Sequence, residues 1–143
     1  MTKTAILTPL EEELSILVNA LEQFGLKKHI LHLGRMEIFE FHELDLLLAL
    51  GGHGKTQFGV QSQYLLCQLP QLELLVCAGA AGALSNDLEV GDIVAATETV
   101  EHDYNLKFVS RPLPRFTGTP QVIDTLSSTL AIRQHSKVSQ TNI

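Results

Sequence analysis

What this 143-residue sequence has little of sets the first limits. It carries ten basic residues against sixteen acidic ones, a formal charge of −6, and nowhere gathers Lys or Arg into a cluster. A phosphate-backbone partner requires such a cluster, so nucleic acid is not an expected partner. Apolar runs such as residues 44–50 fall well short of the ~20 residues that cross a bilayer, and no basic-then-apolar leader opens the chain. No membrane partner is therefore expected, and the location expected is cytoplasmic. Cys67 and Cys77 are the only cysteines, and their spacing matches neither CxxC nor a zinc pattern. Cys77 lies in an apolar run and reads as a buried small hydrophobe. No disulfide, metal or cofactor is expected.

What is present reads as a compact globule. Apolar residues make up 45% of the chain and charged ones only 18%, which fits one domain over residues 1–143 with a real core. Periodicity predicts a strand at 4–8, then a helix at 10–23 with Leu10, Leu14, Leu17, Val18 and Leu21 on one face, ended by Gly25. Strands follow at 29–33, 36–41 and 46–50, the first two joined by a tight turn at Gly34-Arg35. A helix over 55–69 closes before Pro70. Further strands are expected at 74–77, central in the sheet, and at 93–96. Residues 111–120, rich in proline, read as a loop. A helix over 121–133 shares a face of Val122, Leu126 and Leu130, and a last strand runs over 136–143. The alternation predicts an α/β fold with a mixed, partly parallel sheet between helical layers.

Three blocks stand out. Glu11-Glu12-Glu13 sits where the first strand gives way to the first helix. Acidic residues favour a helix N-terminus through the macrodipole, so spacing alone favours a solvated cluster over a catalytic one. Gly51-Gly52-His53-Gly54-Lys55 follows a strand and opens a helix. A P-loop would need glycine at position 49, where Ala49 stands. Lys55 reads as a helix-start surface residue or ion-pair partner. The run Gly79-Ala80-Ala81-Gly82, before Gly91-Asp92-Ile93-Val94, lets a ligand approach the main chain closely. His102-Asp103 behind it could suggest acid–base chemistry, but neighbours on an extended chain point to opposite faces, which favours loop anchoring.

Taken together, these blocks resemble the purine nucleoside phosphorylase superfamily and, within it, the methylthioadenosine/S-adenosylhomocysteine nucleosidases. The resemblance runs across roughly residues 4 to 135 and fits the amino-terminal half of that family, the carboxyl-terminal half being absent. It implies a three-layer α/β/α nucleoside phosphorylase-like fold, a purine nucleoside as small-molecule partner, a homodimer, and a place in methionine salvage. By resemblance Glu13 holds and activates the attacking water. Pro9, Gly52, His53, Ala80, Ala81, Gly82 and Leu106 line the substrate site, with Leu106 and Val109 in a segment that reaches a neighbouring subunit; the His53 imidazole either hydrogen-bonds a ligand hydroxyl there or caps the following helix. Glu13, His53 and the Ala80 loop are expected to converge on one concave site.

Hydrolysis of an N-glycosidic bond needs a base on the attacking water and an acid on the departing purine, and a carboxylate on the sugar side also stabilises an oxocarbenium-like transition state. Family members commonly carry Ser where Ala80 stands, so phosphorolysis is disfavoured here, as it is by the lack of an Arg beside the glycine turns. The segments that by resemblance supply the ribose clamp and the purine acid do not occur after His102. A chain without that acid forfeits a factor of about 10²–10⁴, so little activity is expected of it alone. The competing reading is a catalytically silent nucleoside-binding or assembly module.

Overall fold

The computed structural model describes residues 4–131 and 138–139. They fall into two compact units, Met1–Ala81 and Gly82–Ile143.

The first unit is built on a five-stranded mixed sheet. Its elements in chain order are β1 (Thr4–Thr8), α1 (Glu11–Gln23), β2 (His29–Leu33), β3 (Met36–Phe41), a short 3-10 turn at His42–Leu44, β4 (Leu46–Leu50), α2 (Lys55–Gln68) and β5 (Leu74–Cys77). Spatial order is β2-β3-β4-β1-β5, with β1 parallel to both β4 and β5 and the β2-β3-β4 meander antiparallel. The tight turn between β2 and β3 uses Gly34 at φ +58°, in the left-handed region that glycine adopts at least cost.

Alternation along the strands decides which helix covers which face. Ala5, Leu7, Met36, Ile38, Leu47 and Ala49 point to one side, where Leu65 of α2 is fully buried against them. Phe41 and Leu48 point to the other, where Leu14 and Val18 of α1 are buried and Leu17 and Leu21 pack beside them. The unit is thus a sheet between two helical layers, as its sequence predicts. Leu10 departs from the predicted helical face: it is the exposed N-cap with extended backbone, one residue before α1 begins. At the far end Gly25 (φ +85°) donates its N–H to Glu22 and Leu26 donates to Leu21, so two orphan carbonyls are satisfied and α1 stops.

Two expectations for β5 are corrected. It is an edge strand among the described residues, paired only with β1, and the central position belongs to β4, whose two faces meet both helices. Cys77 is exposed rather than buried, because it is the last residue of a strand with a neighbour on one side only among the described residues.

The second unit contains β6 (Ile93–Val94), β7 (Glu98–Val100), β8 (Arg115–Thr117), α3 (Pro120–Ala131) and β9 (Val138–Ser139). β6 pairs in parallel with β9, and β7 pairs antiparallel with β8, with an ion pair between Arg115 and Glu98. The predicted loop at 111–120 is therefore interrupted by a strand. β6 is shorter than predicted, and most of the expected strand at 136–143 lies outside the described residues. α3 begins at Pro120, one residue earlier than predicted. It buries Ile123, which packs on Gly118, whereas Leu126 is exposed; Leu130's side chain lies outside the described residues. Val122 of the predicted face is half-buried, and the chain just before α3 is tied down through Gly118, whose N–H donates to Thr97.

Candidate functional site

Thr8 of β1 pairs with Leu50 of β4, and Leu7 pairs with Cys77 of β5, so three parallel strands end in step along one edge. Ligands of open α/β sheets collect outside the carboxyl ends of their strands. The loops leaving this edge carry Pro9, the Gly51–Lys55 turn and the Gly79–Ala81 segment.

Glu13 is half-buried in the first turn of α1, while Glu11 and Glu12 beside it are exposed. Its two carboxylate oxygens are held by two different backbone segments. Oε2 accepts the N–H of Leu10 at 3.0 Å, and Oε1 accepts the N–H of Ala80 at 2.7 Å. The first contact is one half of a capping box; the reciprocal half is missing because Leu10 has no side-chain acceptor. The second joins α1 to the loop after β5, and hydrogen bonds to an ionised acceptor are among the stronger kind. A carboxylate offers about four lone-pair sites, so two backbone donors fix its plane and leave acceptor capacity for a water.

The packing beneath this carboxylate leaves no slack. A Cβ added at Gly79 would stand 2.8 Å from Pro9 Cδ and 3.2 Å from Glu13 Oε1. Beside it the N–H of Ala78 donates to the Leu7 carbonyl at 3.0 Å, and that of Gly51 donates to the Thr8 carbonyl at 2.8 Å. In the next turn Gly52 and Gly54 have φ of +87° and +82°, and a side chain at position 51 or 52 would enter the space of Phe58 or Gln57. His53 at the crest of this turn is exposed and makes no hydrogen bond with Glu13. Lys55 is exposed as the first residue of α2.

The Cys77 thiol belongs to this edge as well. Partial desolvation of its sulfur raises its pKa first, and the negative charge of Glu13 raises it further. Neither Cys77 nor Thr8 is marked out by the sequence. The one available signal for Thr8 is a polar residue closing an otherwise apolar strand just before Pro9.

Of the predicted site residues, Glu13, Pro9 and Ala80 are brought together, Gly52 and His53 leave the same edge on a neighbouring turn, and Ala81 is exposed at the end of the first unit. Gly82 and Leu106 belong to the second unit. There residues 104–111 alone bound an open depression of about 330 Å³ that includes Leu106. His102 and Asp103 lie on an exposed turn of the same unit.

The sequence model of the phosphorylase superfamily matches residues 3–137. The chain belongs to the phosphorylase superfamily. Among curated members it is 28% identical over 135 residues to the 5'-methylthioadenosine/S-adenosylhomocysteine nucleosidase of Buchnera aphidicola, covering 94% of this chain and 52% of that one. It is 27% identical to the aminodeoxyfutalosine nucleosidase of Helicobacter pylori, covering 94% and 60%. The chain therefore spans somewhat more than half the length of these relatives. Among solved structures, the nucleosidase of Neisseria meningitidis in complex with methylthio-immucillin-A superposes with a TM-score of 0.79 at 24% identity, over 99% of this chain and 63% of that one. A Helicobacter pylori mutant nucleosidase with 5'-methylthioadenosine in its active site gives 0.78 at 22%, with the same coverage. These likenesses show the phosphorylase-superfamily fold, truncated relative to the solved chains.

Proposed function

We propose that this chain carries the water-activating side of a purine nucleoside hydrolase site, of the kind that cleaves methylthioadenosine or S-adenosylhomocysteine. The observation that supports it most is the Glu13 carboxylate, fixed by the Leu10 and Ala80 amides at the carboxyl ends of the three parallel strands β4, β1 and β5. In this reading Glu13 takes a proton from a water placed under the anomeric carbon. As the new C–O bond forms, the C–N bond to the purine breaks, and its electron pair leaves with the base, which must be protonated. The glycine turns keep side chains out of the space where ribose and purine would press on backbone.

Protonation of the purine is the half of the reaction for which this chain offers no group by resemblance, so the chain alone binds purine nucleosides weakly and turns them over negligibly. Binding and acceleration separate because only contacts made more strongly in the transition state speed the chemistry. The same reading makes the protein a cytoplasmic homodimer in methionine salvage. Association is favoured by exposed apolar side chains such as Ile16 and Phe24, and light scattering that finds a well-folded monomer at micromolar concentration would count against it. An adenine-release assay with methylthioadenosine, run beside Glu13→Gln and paired with calorimetric titration of the nucleoside, tests the central claim. Weak binding with negligible release is the expected result. Turnover at ordinary enzyme rates that vanishes in Glu13→Gln would show that this chain does supply the acid. Absence of any binding would favour a module without nucleoside recognition.

A further inference from the structure

We infer that Thr8 is a positioning residue for the Glu13 carboxylate; the functional meaning of that role rests on the hydrolase reading above. Thr8 is the one fully buried polar side chain among the described residues. A buried hydroxyl is costly unless it is hydrogen-bonded, and valine would fill the same β-branched space without that cost. The hydroxyl is used: Oγ1–H donates to the Leu10 carbonyl at 3.1 Å. That carbonyl also accepts the first helical hydrogen bond, from Leu14 at 3.2 Å, while the N–H of the same Leu10 donates to Glu13. Leu10 is therefore gripped at its carbonyl by Thr8 and Leu14 and presents its amide to the carboxylate.

The lever between Thr8 and Leu10 is short and stiff. Pro9 fixes its own φ and donates nothing, and its ring lies against Gly79. The remaining freedom between strand and helix is essentially Pro9 ψ and Leu10 φ, and the hydroxyl-to-carbonyl bond closes that loop. Thr8 is itself anchored through its carbonyl, which accepts the Gly51 N–H at 2.8 Å. One residue thus ties the exit of β4, the end of β1 and the N-cap of α1 into a frame that aims Glu13 at the Ala80 amide.

The test reads geometry rather than turnover, so its failure is separable from failure of the hydrolase reading. Amide hydrogen exchange and amide proton shifts of Leu10 and Ala80 are followed in the full 143-residue chain, with the Phe58 amide of α2, which donates to Gly54, as an internal reference. Thr8→Val should accelerate exchange at Leu10 and Ala80 by about fivefold relative to Phe58. It should also move both amide shifts in the direction that Glu13→Gln moves them. Thr8→Ser should restore both. The pair Thr8→Ser and Thr8→Ala differs only in the hydroxyl and decides the matter should the valine variant not fold. Equal behaviour of Ser and Ala at Leu10 and Ala80, or an unmoved Ala80 amide in Thr8→Val, would overturn the assignment and leave Thr8 a packing residue.

Discussion

Gly79→Ala perturbs the carboxylate's support with one added methyl group. Gly79 has no positive φ, so the backbone tolerates alanine and the whole cost comes from what the Cβ meets. It would stand 2.8 Å from Pro9 Cδ, against an ordinary carbon–carbon contact of about 3.5–4.0 Å, so roughly 0.7 Å of relief is needed. Pro9 cannot supply it by rotating, since its ring is fused to a backbone pinned between buried Thr8 and the N-cap Leu10. Relief must come from the loop after β5 or from Glu13, and either stretches the 2.7 Å contact between Ala80 and Glu13. Overpacking costs about 1–3 kcal/mol. Loss of the hydrogen bond adds about 1 kcal/mol at most, because Glu13 is half-exposed and water can replace the amide. The stiffer unfolded chain of an alanine variant returns about 0.5 kcal/mol. The expected net loss is about 1–3 kcal/mol, read from urea unfolding by far-UV circular dichroism with the Ala80 amide followed by NMR. Gly82→Ala, whose Cβ meets nothing within 4 Å, is the matched control and should change stability by no more than about 0.5 kcal/mol. An unchanged urea midpoint and an unmoved Ala80 amide in Gly79→Ala would refute the packing argument.

The remaining predictions concern α2 and the thiol. Gly59 sits exposed inside α2 with open space around its missing Cβ, so Gly59→Ala should raise stability by about 0.5–1 kcal/mol; a lower urea midpoint at equal m would contradict this. The Glu13 charge opposes ionisation of Cys77, so in a Cys67→Ser background Glu13→Gln should lower the thiol pKa and speed iodoacetamide labelling of Cys77 around neutral pH. Desolvation remains the larger cause and keeps the thiol above its ordinary value in both forms. Equal labelling rates would show that the Glu13 charge does not reach the sulfur.

Much of the first unit is legible in the sequence because its signals are local. The strands at 4–8, 29–33, 36–41, 46–50 and 74–77 are bounded by turns or helix starts that the chain announces within a few residues, and α1 ends where Gly25 says it should. What is hidden is set by distant partners. Nothing within residues 74–77 tells that β5 pairs on one side only among the described residues, or that Cys77 is exposed. β7 and β8 are three residues each, too short for alternation to register, and β8 lies in a stretch whose prolines argue for a loop. At the site, Glu13 is singled out by its place in an acidic triplet together with family resemblance. Its partner Ala80 lies 67 residues away and contributes a backbone amide, which no side-chain pattern can signal. Thr8 is hidden for a related reason, since a hydroxyl's worth depends on the carbonyl it finds.

In the hydrolase reading proposed above, the two accounts of the acidic triplet, helix-start electrostatics and chemistry, apply to different members of it. Consecutive helical residues fan out by about 100°, so at most one of three can face the strand ends. Burial of Leu14 and Val18 against the sheet fixes the rotation of α1 and leaves Glu11 and Glu12 in solvent, where the macrodipole alone accounts for them. The same rotation brings Glu13 to the flank where its carboxylate reaches back to the Leu10 amide and across to Ala80. Glu13 therefore does the capping work of an ordinary third helical residue with one oxygen, while the other is recruited by a loop from the far side of β1. A carboxylate needed only as a cap would have no use for a second, non-local donor at 2.7 Å. The orientation that this donor adds is what a base acting on a bound water would require.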